Sequence, residues 1–113
     1  PGQLTLIVKC HPSLDQQITG NGNTVALRVP DHPIPRKLAE LVGTPIVGTS
    51  ANKSGDPSCT TYEEVIRSFP TGLGSILNGG VCDIGVESTI VDCTASKPRL
   101  VRLGALDITR DIG

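Results

Sequence analysis

The sequence predicts an α/β or α+β fold, a twisted mixed β-sheet with flanking helices, and three observations lead there. Short runs rich in Val, Ile and Leu alternate with helix-like stretches through the first two thirds of the chain. Two further β-rich runs then follow each other across five residues, as in a hairpin. Thirteen Gly and nine Pro punctuate these segments, with no repeat and no low-complexity tract.

Taken in order, residues 4–9 (LTLIVK) form a compact β-rich run that stops at His11-Pro12. Residues 12–17 fit a helical turn, and Gly20-Asn21-Gly22-Asn23 is a turn signal. Residues 24–29 (TVALRV) alternate, with Val25, Leu27 and Val29 on one face and Thr24, Ala26 and Arg28 on the other. Pro30 to Pro33 ends that strand and opens a helix in which Ile34, Leu38, Leu41 and Val42 recur at helical spacing before Gly43. Residues 45–48 (PIVG) read as a short strand that empties into a loop of small, hydroxylated residues. Thr60 or Thr61 then caps a second helix, with Glu63 and Glu64 in its first turn. Residues 75–77 read as a brief strand, 88–93 and 99–103 as the hairpin, and Asp107 as the start of a last helix.

With 113 residues the chain suits one domain, and its ten basic and eleven acidic side chains leave a net charge of −1. That balance argues against a protein held to nucleic acid or a membrane by bulk positive charge. No apolar run approaches the roughly 18 residues of a membrane span. The chain lacks Met and starts Pro1-Gly2-Gln3, so it is expected to be a piece of something longer. Cys10, Cys59, Cys82 and Cys93 show no zinc-ligand spacing with His11 or His32, and buried thiols in an intracellular protein are the expected state.

The chemistry concentrates in three places. Residues 49–58 (TSANKSGDPS) bring Thr49, Ser50, Ser54 and Ser58 together with Asn52, Lys53 and Gly55 after a strand. Small side chains let a ligand approach the backbone, and hydroxyl and N–H groups hold phosphate oxygens. A solvated turn has the same composition, and G-x₄-G-K-[ST] is absent. Arg28 and Arg102 lie on strands, where a half-buried guanidinium needs an anionic partner, either a protein carboxylate or a ligand. In Gly85-Val86-Glu87-Ser88-Thr89-Ile90-Val91-Asp92 the consecutive hydroxyls either line a pocket or serve as ordinary β formers. His32, before Pro33 at a helix entrance, is a capping or surface residue more readily than a base. From these residues alone the chain reads as a phosphate- or carboxylate-binding α/β piece.

Four segments, in order, resemble the YrdC-like family of threonylcarbamoyl-AMP synthases: Pro1-Gly2-x-Leu4-Thr5, Val25-Ala26-Leu27-Arg28-Val29-Pro30, Thr49-Ser50-Ala51-Asn52-Lys53-Ser54-Gly55 and the stretch Gly85 to Asp92. Arg102-x-Gly104 closes the series, and Gln3 stands where the family usually has Pro. The resemblance implies a YrdC-like open sheet with a concave ligand pocket, here as a partial domain over residues 1–113 without its N-terminal strands and helices. It implies an enzyme that joins ATP, L-threonine and bicarbonate into threonylcarbamoyl-AMP and pyrophosphate, for threonylcarbamoyladenosine in tRNA. The piece by itself is expected to be inactive.

By the same resemblance Thr24, Ser50, Asn52, Ser58 and Arg102 contact ATP, while Arg28, Gly48, Ser88 and Thr89 serve the threonine, Arg28 through its carboxylate. No single catalytic residue is assigned. Mg²⁺ is expected with ATP, and no structural metal. The expected setting is cytoplasmic, without a membrane, with homodimerisation through an exposed sheet edge and contact with tRNA-modification proteins. Alternative readings are a double-stranded RNA-binding module, if the fold collects Lys9, Arg28, Arg36, Lys37, Lys53, Arg99 and Arg102, or a carbamoyltransferase domain of the HypF class.

Overall fold

In the computed structural model, residues 1–82 and 87–109 are described. The chain divides into two compact units, Pro1–Arg36 with Gly85–Gly113, and Lys37–Ile84.

The first unit is built on a four-stranded sheet. Its strands are β1 (Leu4–Lys9), β2 (Thr24–Leu27), β3 (Thr89–Asp92) and β4 (Arg99–Arg102), in spatial order β2-β1-β3-β4. β1 pairs antiparallel with β2, parallel with β3, and β3 pairs antiparallel with β4. The sheet is therefore mixed and open, as its alternating strands and helices predict. Two of the expected strands, 45–48 and 75–77, are not strands, and β2 ends at Leu27 rather than Val29. The runs 45–48 and 75–77 are short and their Ile46, Val47 and Leu77 stay exposed. Four or fewer apolar residues beside Gly and Pro do not by themselves secure a ladder partner. The expected last helix runs from Asp107 into residues outside the described ones; residues 107–109 are not helical.

Register sorts the sheet into two faces. Leu6 lies opposite Leu27 and Val91, and Val8 lies opposite Val25, so Leu4, Leu6, Val8, Val25, Leu27, Thr89 and Val91 share one face with Leu100. The other face carries Thr5, Ile7, Lys9, Thr24, Ala26, Ile90 and Asp92, because side chains alternate along a strand. Among the described residues only Val91 (3% exposed) and Thr89 (0%) are fully buried. The core is thus thin and centred on β3.

Between Ile90 and Val91 the register slips: Val91 faces Leu100, but Ile90 faces Arg102, leaving Val101 as the extra residue of a β-bulge. In an unbroken antiparallel register Arg102 would oppose Thr89 on the apolar face. The bulge turns it to the polar face instead.

The turn after β3 is tied by Asp92, whose Oδ1 accepts from the Thr94 hydroxyl at 2.6 Å and the Thr94 N–H at 2.9 Å. These two bonds, the hydroxyl first, with a smaller contribution from Arg99, hold the Asp92 carboxyl below its ordinary value. A carboxyl lowered on folding stabilises above its unfolded pKa, and that contribution disappears as pH falls through the folded value. In an NMR titration the Asp92 carboxyl is expected to titrate below about pH 4, the ordinary range for Asp. The Thr94 amide should lose its downfield shift in the same step, and a midpoint at or above that range would contradict the turn.

Each helix has a local cause. α1 (Gln16–Thr19) starts where the Asp15 side chain accepts from Gln17 N–H and stops at Gly20, whose φ of 64° is left-handed; it lies later than the turn expected at 12–17. α2 (Pro33–Val42) is entered through His32, whose Nδ1 accepts from the Ile34 N–H at 3.1 Å, which makes His32 a capping residue. It ends where the Gly43 N–H bonds to the Ala39 carbonyl, with Gly43 at φ +81°.

In the second unit α3 (Tyr62–Ser68) is capped by Thr61, whose Oγ1 accepts from the Glu64 N–H at 3.1 Å. Glu64 reaches back to accept from the Thr60 N–H at 2.9 Å, close to a capping box. The four cysteines are free thiols, as expected, but none is buried: Cys10 and Cys59 are half-buried and Cys82 and Cys93 exposed.

Candidate functional site

Sequence placed the chemistry on strand arginines, on the 88–89 hydroxyls and on the serine-rich loop. The structure brings the first two together in the first unit. Arg28 follows β2 on the side of Thr24 and Ala26, and its Nη1 donates to the Gln3 side-chain oxygen at 3.5 Å. Among the described residues no carboxylate lies within 4.0 Å of it. Arg28 is exposed, and among the described residues its charge is not spent on a protein ion pair.

Arg102 is held much more firmly. Its Nε and Nη2 donate to the Ser88 carbonyl at 3.0 and 2.8 Å, and Nη2 also reaches Ser88 Oγ at 3.3 Å. Its Nη1 lies 3.0 Å from Glu87 Oε2. The backbone contact fixes the guanidinium plane. The Glu87 side chain is 77% exposed, and such an ion pair is worth about 0–1 kcal/mol, so an incoming anion can replace it at Nη1.

Ser88 and Thr89 part company. The Ser88 hydroxyl lies 2.7 Å from the Thr5 hydroxyl, on the face of Arg28 and Arg102. Thr89 points to the opposite face with no exposure; its hydroxyl donates to the Leu106 carbonyl at 2.5 Å and accepts from the Gly104 N–H at 2.9 Å. Its proton and one acceptor position are thus engaged inside the unit. Thr24 shares the face of Arg28 but sits four residues away, about 13 Å along the strand at 3.3 Å per residue.

Gly104 seals this end of the sheet. A Cβ there would overlap the Glu87 carbonyl oxygen and lie 2.6 Å from the Ser88 carbonyl carbon. The Ala105 N–H bonds to the Glu87 carbonyl at 3.0 Å, so the chain after β4 wraps closely over residues 87–89.

In the second unit the loop from residue 51 to 59 is closed by the Cys59 N–H on the Ala51 carbonyl at 2.9 Å. Inside it the Asp56 N–H bonds to the Lys53 carbonyl at 2.9 Å and Gly55 takes φ +87°, a turn that glycine tolerates without strain. The loop brings Asn52 and Ser58 together, with Ser58 Oγ donating to Asn52 Oδ1 at 3.5 Å and Asn52 Nδ2 to the Lys53 carbonyl at 3.0 Å. Ser50 is exposed just ahead of the closure, and its hydroxyl has no hydrogen bond among the described residues. Gly48 has open space where a Cβ would stand. Among the described residues no three His, Cys, Asp or Glu side chains gather as metal ligands.

Three of the seven basic residues considered for an RNA surface are neutralised locally: Lys37 by Glu40, Arg99 by Asp92 and Arg102 by Glu87. No helix among the described residues is long and apolar enough to cross a membrane.

The Sua5/YciO/YrdC family model, described as telomere recombination, matches residues 1–104. The chain belongs to that family. A threonylcarbamoyl-AMP synthase of Bacillus subtilis is 43% identical over 107 residues, 94% of this chain and 31% of the relative. The structure of Pyrococcus abyssi Sua5 complexed with L-threonine superposes with a TM-score of 0.87 at 42% identity, over 98% of this chain and 33% of that one. Escherichia coli YciO gives a TM-score of 0.80 at 28% identity, over 96% of this chain and 53% of its own. The chain thus spans about a third of the length of the first two relatives. As a Sua5/YciO/YrdC chain it has the mixed open sheet expected of the fold.

Sequence reasoning gave no role to Thr5 or Glu87. Both stand inside the matched motifs, which was the available signal; the Thr5–Ser88 contact appears only once β1 and β3 are paired, and the Glu87–Arg102 contact once β3 and β4 are.

Proposed function

We propose that the chain is the part of a threonylcarbamoyl-AMP synthase that recognises the threonine carboxylate and phosphate groups of ATP. The carrying observation is Arg28: an exposed guanidinium with an amide for partner, on the same sheet face as Ser88 and Arg102. Family membership and the L-threonine complex of Pyrococcus abyssi Sua5 support the reading.

In the proposed reaction the threonine amine and bicarbonate form a carbamate with loss of water. A carbamate oxygen then attacks the α-phosphorus of ATP, and pyrophosphate leaves. Positioning and charge neutralisation supply most of such catalysis. Arg28 anchors the carboxylate, which leaves the amine free to be carboxylated, and the Ser88 hydroxyl adds a polar contact. Arg102, fixed by the Ser88 carbonyl, exchanges Glu87 for a phosphate oxygen. Thr24 offers a further hydroxyl to the nucleotide. In the second unit Ser50, Asn52 and Ser58 offer hydroxyl and amide groups to phosphate oxygens, and Gly48 leaves room for a ligand. ATP enters as its Mg²⁺ complex, with the metal as part of the substrate.

Replacing Arg28 removes charge-assisted hydrogen bonds worth about 1.5–3 kcal/mol. Arg28→Ala is therefore expected to weaken L-threonine binding about 10- to 150-fold in an equilibrium titration with radiolabelled threonine, ATP and bicarbonate. Arg28→Lys should recover part of that loss. Equal threonine affinity in wild type and Arg28→Ala would overturn the assignment.

A further inference from the structure

The segment Pro1-Gly2-x-Leu4-Thr5 is a matched motif to which the proposed function gives no work. We propose that Thr5 is a positioning residue for amino-acid recognition: its hydroxyl aims the Ser88 proton at the ligand carboxylate. The proposal rests on the reading of Ser88 as an amino-acid contact.

Thr5 lies on β1, a strand paired on both sides, and is itself half-buried. A β-branched side chain on a strand is stiff at χ1, whereas a lone serine readily samples its staggered rotamers. The 2.7 Å contact between the hydroxyls therefore couples the freer side chain to the stiffer one. Ser88 has one proton and two acceptor positions. Arg102 Nη2, which has no acceptor capacity, donates into one of these positions. When Thr5 donates into the other, the Ser88 proton is left pointing outward.

A carboxylate only accepts hydrogen bonds, so it selects this arrangement over the reverse one, in which Ser88 gives its proton to Thr5. Thr5 thereby acts through Ser88, and it acts on the amino acid rather than on the nucleotide. Arg102 keeps its bonds to the Ser88 carbonyl whether or not Thr5 has a hydroxyl.

The test compares wild type, Thr5→Val and Thr5→Ser. Valine keeps the branched shape and β propensity, so the sheet is expected to fold, which backbone amide shifts check. The first readout needs no ligand: three-bond couplings to the Ser88 β-protons should report one rotamer in wild type and Thr5→Ser, and an average in Thr5→Val. In the second, Thr5→Val should weaken L-threonine about five- to tenfold with ATP affinity unchanged, and Thr5→Ser should restore it to within about twofold.

A single Ser88 rotamer in Thr5→Val, or undiminished threonine affinity, overturns the proposal. A wild type that binds no threonine, with the rotamer averaging present, also overturns the role in recognition. In that case the fault lies with the proposed function, since the coupling between the hydroxyls would have been seen.

Discussion

Gly104→Ala is expected to unfold the end of the sheet that carries Arg102 and Ser88. The added methyl would overlap the Glu87 carbonyl oxygen and lie 2.6 and 2.7 Å from the Ser88 carbonyl carbon and oxygen. These are backbone atoms, so no side-chain rotation relieves the clash. Both carbonyls are also engaged, Glu87 by the Ala105 N–H and Ser88 by Arg102. The backbone must move apart, at about 3 kcal/mol, the upper range for overpacking. Against a core with one fully buried apolar residue among those described, that loss is a large share of total stability. Urea unfolding should show a markedly lowered midpoint, while Gly48→Ala, which meets open space, should change little. A Gly104→Ala protein with wild-type stability would contradict the close wrap of the chain over residues 87–89.

Thr89→Val should cost about as much by a different route. The substitution preserves shape but leaves the Gly104 N–H and the Leu106 carbonyl without the hydroxyl that each uses. An unsatisfied buried polar group costs about 1–3 kcal/mol, and with Gly104 half-buried and Leu106 40% exposed the loss is about that of one such group. Thr89→Ser keeps the hydroxyl and removes a methyl, at about 1 kcal/mol. Thermal melts of the two variants should therefore fall in the order wild type, Thr89→Ser, Thr89→Val. If Thr89→Val is the more stable of the two variants, the hydroxyl does not hold the sheet end together. Threonine affinity per folded molecule should be similar in Thr89→Ser and wild type, because Thr89 faces away from Arg28.

The same residue shows where the sequence stops being informative. Two neighbouring hydroxyls, Ser88 and Thr89, were equivalent candidates, because strand alternation says that they face opposite ways and not which way. Only the parallel pairing of Leu4 with Thr89, a contact between distant parts of the chain, settles it. Arg102 is a second case. Alternation along RLVRL puts it on the same face as Leu100, and the bulge at Val101 reverses that. Local patterns did reach β1, β2, the closing hairpin and the caps of α2 and α3, because these depend on neighbours in sequence. PIVG and the run 75–77 misled because apolar composition in so short a stretch carries no period. The loop at 51–59 was legible as hydroxyl-rich, but its closure by Cys59 on Ala51 and the pairing of Asn52 with Ser58 were not.

The central claim is that the polar sheet face around Arg28 receives an amino-acid carboxylate. Its most direct test is a titration of the isotope-labelled chain with L-threonine in the presence of Mg²⁺, ATP and bicarbonate, followed by amide and side-chain NMR. Saturable shifts are predicted at Thr5, Arg28 and Ser88, with Val8, Val25 and Leu100 on the opposite face unmoved. Shifts confined to that apolar face, or no saturable change at Arg28 and Ser88, would contradict the account.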